Sequence, residues 1–180
     1  MEIIRGKAWV FGDNLDVDFE LIGDIQTFSA MRRKGASQEE LGKMCLKGVD
    51  PDFSKKVTKG DLIIAGENMG CGHDHAHGAE VIKWCGVGAV IAESLGEWFL
   101  RNSILVGLPV VAYEGIKQKV NEGEKLELDY PRGKLTNLST GNIMRFKPLP
   151  SFLLKIMESG NLHNHIQELI SERKLATYLE

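Results

Sequence analysis

DLIIAGENMGCGHDHAHGAEVIKWCGVGAVIAES, residues 61–94, decides how this chain is read. Two compact apolar runs, LIIA at 62–65 and AVIA at 89–92, each have a glycine at one boundary, the profile of buried strands. Between them AHGAEVIKWCG (76–86) has helical spacing, with Ala79, Ile82 and Cys85 on the inward face. Strand, loop, helix, strand implies parallel pairing with a right-handed crossover.

The rhythm continues outward. LGEWFLRNSILVG (95–107) repeats apolar residues at helical spacing, and LPVVAYE (108–114) is a third apolar strand. Upstream, IIRGKAWVF (3–11) reads as a first strand, followed by the turn-rich GDNLDVD. Its Asp13, Asp16 and Asp18 fit cation binding through oxygen or, more commonly for such residues, turn and capping roles. GDIQTFSAMRRKGA (23–36) reads as a mobile basic loop carrying Arg32, Arg33 and Lys34. Ser37 with Glu40 three residues on forms a capping box, and Leu41, Met44 and Cys45 give the short helix behind it an apolar face. After Lys117, KLELDY and KLTNLST alternate about PRG as a hairpin, and IMRFKPL is a short strand. PSFLLKIMESG is a helix ending before Gly160. NLHNHIQELISERKLATYLE (161–180) reads as a surface helix with His163 and His165 solvated.

Composition narrows the function. The 180 residues are 43% hydrophobic and 26% charged, ordinary for a soluble globular domain. A net charge of -3 argues against nucleic-acid binding by bulk electrostatics. No apolar run reaches ~18 residues, so no membrane span is expected. The start, MEIIRGKAWVFGDN, lacks a secretory h-region. Cys45, Cys71 and Cys85 are odd in number and lack CxxC spacing, which fits a reducing cytoplasm and no cofactor ligand set in this chain.

Chemistry concentrates in the loop at 70–78, where three of the five histidines lie within five residues. In parallel α/β folds ligands bind beyond the C-terminal ends of strands. The first turn of the following helix offers free N–H groups to an anion, and Gly70 and Gly72 permit close backbone approach. His73, His75 and His77 would share one side of an extended segment and could converge on a metal. A helix starting here would break that alternation, and no distant carboxylate or cysteine ligand is evident, so no metal site is assigned. Local packing of His77 in the first helical turn is the plainer account. Cys71 reads as a small residue in a tight turn, against a thiolate activated by the helix N-terminus. The Arg32–Arg33–Lys34 run suits a substrate carboxylate or a solvated face.

Several separated motifs, in order, resemble a known family. GDNLDVD, KGVDPDFSKKVTKGDLIIAGENMGCG, GVGAVIAESLGEWFLRNSILVGLPV and FKPLPSFLLKIMESG are similar to the small subunit of 3-isopropylmalate dehydratase, itself similar to the swivelling C-terminal domain of aconitase. The resemblance runs from about Gly6 to Gly160. It implies an α/β fold, the aconitase-type swivelling β/β/α domain with a mostly parallel central sheet, over residues 1–160, with 161–180 as a C-terminal helical tail. It also implies a separate large subunit carrying a 4Fe–4S cluster, and dehydration or isomerisation of a hydroxy di- or tricarboxylate.

The loop departs from the family pattern. After Gly-Cys-Gly the family typically reads Ser-Ser-Arg-Glu-His-Ala, where this chain has His73-Asp74-His75-Ala76-His77-Gly78. The serine that acts as base falls on His73, and the carboxylate-binding arginine on His75. The family's Asp-Thr-Asp-Gln becomes Asp16-Val17-Asp18-Phe19, and the specificity loop near 24–35 is atypical. Histidine accepts a proton near neutral pH, so His73 is assigned as the base, with Asp74 orienting either neighbour. Gly72, Asp74, His75, His77, Arg32 and Arg33 are assigned to the substrate. The alternative is a metal- or anion-binding paralogue without hydro-lyase activity. Alone, the chain could form a homo-oligomer.

Overall fold

A computed structural model describes residues 1–171. Seven strands form one sheet in the order β4-β3-β2-β1-β5-β6-β7: β1 (Ile4–Val10), β2 (Leu62–Ala65), β3 (Ala89–Ala92), β4 (Val110–Ala112), β5 (Lys125–Asp129), β6 (Lys134–Asn137) and β7 (Ile143–Arg145). β1 to β4 run parallel, and β5 to β7 extend the sheet antiparallel from the other side of β1. The connections follow from this. α4 (His77–Trp84) is the crossover from β2 to β3 and α5 (Glu97–Val106) that from β3 to β4, while β5 and β6 are joined by the expected Pro-Arg-Gly turn.

Alternation along the strands sorts side chains onto two faces. Ile63, Ala65, Val90 and Ala92 enter one apolar cluster with Leu21, Phe28, Val81, Ile82 and Phe99. Leu62, Ile64, Ala89 and Ile91 enter a second with Leu126, Leu128, Tyr130 and Met157. Both faces of β2 and β3 are therefore buried, which is why these strands are apolar at every position. Tyr130 sets its hydroxyl 3.1 Å from the Val110 carbonyl, and burial pushes its phenol up to about 12.

The basic segment is not a mobile loop. Residues Ile25–Arg33 form α1, because Asp24 caps the first turn by accepting from the backbone N–H of Gln26 and Thr27, and Phe28 is fully buried. Arg32 and Arg33 sit in its last turn, where cations suit the helix dipole. The Ser37–Glu40 capping box is present at the start of α2 (Gln38–Gly42), and α3 (Phe53–Lys56) buries Phe53.

At the other end, α6 (Ser151–Glu158) and α7 (Leu162–Ser171) pack against each other and against α5. Lys83 ties them down, its ammonium donating to the carbonyls of Val106 and Gly160. Helix is thus present over 162–171, and the rest of the expected tail lies outside the described residues. His163 is exposed as expected, but His165 is buried, with its Nδ1 3.1 Å from Ser159 Oγ. The face of α7 that meets α6 carries it inward. No helix of the described residues is long and apolar enough to cross a membrane.

Candidate active site

The loop after β2 keeps strand-like company beyond the last regular strand residue. Its Cys71 bridges to Asp16 on one side, and its Met69 bridges to Leu95 on the other. Backbone bonds from Gly70 to Leu15 (2.8 Å), Val17 to Cys71 (3.0 Å) and Gly96 to Met69 (2.8 Å) hold the three segments together. The order β1–β2–β3 therefore persists past the C-terminal ends of the strands and delivers residues 12–18 beside the histidine loop.

Two glycines make this possible. Gly70 has φ +75°, and a Cβ there would fall on the Phe99 ring. Gly72 has φ +91°, and a Cβ there would lie 1.9 Å from Asp16 Oδ2. The space beside each glycine is filled by the chain's own side chains, so the open approach to a ligand begins at residue 73.

From there the three histidines do converge. Residues 73–75 lie outside any helix, Ala76 caps α4 with its carbonyl accepting from Glu80 N–H at 3.0 Å, and the helix begins only at His77, so the three histidines keep one side as α4 starts. The expectation that the helix would break their alternation is overturned. The rings of His73 and His75 stack with centroids 5.4 Å apart, those of His75 and His77 at 5.5 Å, and His77 lies 4.7 Å from the Phe28 ring. Side-chain exposure climbs along this column from 27% at His77 through 41% at His75 to 68% at His73. One end of the column rests against the core at Phe28 and the other is in water.

Asp18, whose side chain is only 4% exposed, faces the upper two rungs. One carboxylate oxygen lies 2.9 Å from His73 Nδ1, and the other 3.0 Å from His75 Nδ1. Asp18 thus takes the orienting role that the sequence had suggested for Asp74. Asp74 is exposed, and its carbonyl oxygen accepts from Asn102 Nδ2 at 2.9 Å, which fastens the loop to α5.

The lowest rung belongs to a different network. Glu80, one turn into α4, accepts from Arg32 at 2.6 Å and lies 3.1 Å from His77 Nδ1. Burial pushes the Glu80 carboxyl up, but His77 and Arg32 together hold it below the usual carboxylate range. Arg32 is therefore engaged within the chain, whereas Arg33 is exposed and forms no hydrogen bond or ion pair among the described residues. At Cys71, burial and then the neighbouring Asp16 carboxylate push the thiol up, so it is not an activated thiolate. Cys45 is buried next to Cys85, away from that loop, and no three described thiols gather as a ligand set.

Sequence reasoning missed Asp18 as the orienting group and Glu80 as the partner of Arg32 and His77. The glutamate had a readable signal, since His77 and Glu80 are three apart on one helix. The aspartate was marked only as one of three carboxylates in a turn-rich stretch, because its place beside the histidines depends on chain pairing across 55 residues.

Comparison with known proteins gives a consistent result. Residues 24–114 match the aconitase C-terminal domain family. The chain is 39% identical to the isopropylmalate/citramalate isomerase small subunit of Methanocaldococcus jannaschii, covering 94% of this chain and 97% of that one. It is 40% identical to 3-isopropylmalate dehydratase small subunit 1 of Thermotoga maritima, covering 92% and 96%. The methanogen homoaconitase small subunit of Methanothermobacter thermautotrophicus is 38% identical over 93% of each. A crystal structure of 3-isopropylmalate dehydratase from Methanocaldococcus jannaschii superposes with a TM-score of 0.82 at 31% identity, covering 96% of this chain and 99% of that one.

Proposed function

The chain belongs to the aconitase C-terminal domain family, and from that premise we propose that it is the small subunit of a heteromeric hydro-lyase that dehydrates and rehydrates a hydroxy dicarboxylate. The observation that carries the catalytic reading is the buried Asp18 carboxylate facing Nδ1 of both His73 and His75. That arrangement fixes which ring nitrogen carries the proton and leaves Nε2 of each ring to the substrate.

His73, the most exposed rung, is the base. Its Nε2 takes the proton from the carbon alpha to a substrate carboxylate during dehydration and returns it on rehydration. The first turn of α4 holds that carboxylate and is open because no side chain caps it, and His75 adds to the hold when its Nε2 also carries a proton to donate. Gly72 and Asp74 shape the approach at the mouth of the loop. Arg33 reaches a distal carboxylate, while Arg32 and His77, tied to Glu80, brace the wall behind it. An imidazole occupies more space than a serine hydroxymethyl, which favours a smaller or methyl-substituted malate over bulkier acids.

The iron–sulfur cluster belongs to the large subunit, where it supplies a Lewis acid for the substrate hydroxyl and carboxylate. That only Cys45 and Cys85 adjoin among the described residues, with Cys71 in a different loop, supports that assignment. Phe19 and Trp98, 62% and 50% exposed, flank the site on the segments carrying Asp18 and Asn102 and give the large subunit an apolar contact. Free thiols are what a cytoplasmic pair would carry, and they support that location. Residues 1–160 form the swivelling unit, with α7 as an appended strap.

The test is turnover of isopropylmalate, citramalate, dimethylmalate and homocitrate by the reconstituted pair, with His73→Ala beside wild type. One acid is expected to turn over, and the substitution to lower that rate by about 100-fold to 10,000-fold. No turnover of any of these acids, by a pair whose cluster is intact, overturns the reading.

A further inference from the structure

The residue types and spacing at the top of the histidine column answer a second chemistry. We propose that Asp18, His73 and His75 also form a site for a divalent transition metal ion of the zinc class. Two imidazoles and a carboxylate are a common zinc ligand set, with a fourth position left to water. Among the described residues this is the group of three whose ligand atoms all lie within 4.8 Å of one another. The distant carboxylate that a bare HxHxH motif lacks is supplied by Asp18, brought in by the Asp16–Cys71 bridge.

The present geometry is close to what an ion needs. Zinc–ligand distances of about 2.0–2.1 Å in a tetrahedron put neighbouring donor atoms about 3.4 Å apart. A single Asp18 oxygen, Oδ2, now stands 2.9 Å from His73 Nδ1 and 3.2 Å from His75 Nδ1, so each contact opens by a few tenths of an ångström. The parts able to move are the right ones. The imidazoles are 68% and 41% exposed and free to swing outward, while Asp18 is buried and fixed.

Occupancy has a chemical consequence, which rests on the assignment of His73 as base. An ion at Nδ1 of a neutral imidazole requires the ring proton to sit on Nε2. The ring neither gains nor loses a proton overall, but the lone pair that would accept the substrate's proton is no longer available. The metal-loaded subunit is therefore catalytically silent, and zinc acts as a reversible brake on the same residues that do the chemistry.

Binding is tested apart from catalysis. Metal-stripped full-length chain without a histidine tag is titrated with zinc chloride in a calorimeter, and with cobalt(II) followed by its tetrahedral absorption bands. One ion per chain is expected, with affinity falling more than about tenfold in His73→Ala, whose exposed ring puts folding at no risk, and in Asp18→Asn. Absence of stoichiometric binding, or equal affinity in His73→Ala, overturns the site while leaving the hydro-lyase reading untouched. Zinc added to the reconstituted pair should then inhibit at the concentration that fills the site. Full turnover with the site filled overturns the brake.

Discussion

Asp18 and Asp61 are both buried carboxylates, placed at opposite ends of the paired strands β1 and β2. Asp61, just before β2, accepts from the backbone N–H of Lys7 and Thr58 and from the Trp9 indole N–H, at 2.8 to 2.9 Å. None of these donors changes charge in the working pH range. Asp18 instead faces two imidazoles, whose protonation and position can both change. The same residue type is therefore used as a fixed clamp at one end of the sheet and as a holder of reactive groups at the other. The end where side chains can respond is the end where parallel strands bring loops together.

Three experiments break or sharpen this contrast. The largest effect is expected for Asp61→Ala, which leaves three donors unpaired near β1 and costs about 3 kcal/mol of stability in a denaturant titration. A loss under about 1 kcal/mol would mean that water replaces the carboxylate freely. Next comes Asp18→Asn. Its melting temperature should move little compared with Asp61→Ala, while turnover by the reconstituted pair falls about tenfold or more, because the imidazoles lose the group that orients them. Equal loss of stability in the two variants would erase the distinction between clamp and holder.

The smallest effect is a pH slope. Burial pushes the Asp61 carboxyl up, but the Trp9 indole and the Thr58 and Lys7 amides outweigh it and hold the group below its usual value. Its contribution is thus fully present above the unfolded value of about 4 and is lost as pH falls through the lower folded value. Denaturation midpoints of wild type between pH 5 and pH 2 should fall with acid. The part of that fall due to Asp61 should vanish in Asp61→Asn.

Much of the scaffold was legible because the signals were local. LIIA, AVIA and the alternating KLELDY carry their burial in their own spacing, and Ser37 with Glu40 announces a helix start. α1 was missed because Phe28 is its one fully buried side chain and its basic end dominates the composition. Even so, Asp24 with Thr27 three residues on was a readable cap. At the site, the sequence picked out the histidines but not what holds them. The Asp18 contact with His73 spans 55 residues of chain, and the sorting of Arg32 from Arg33 depends on a glutamate 48 residues from Arg32. Composition and spacing do not record such distances.

The stacked column of rings has one more consequence, for how this loop tolerates change. Its three imidazoles share a side because they occupy alternate positions, so their arrangement is set by parity as well as by identity. Exchanging one ring for another side chain removes a single rung and leaves the others in place. Inserting or deleting one residue between His73 and His77 would turn neighbouring rings to opposite sides and part His73 from Asp18, although every histidine would still be present. A lineage can therefore vary what stands on each rung more easily than it can alter the length of the loop.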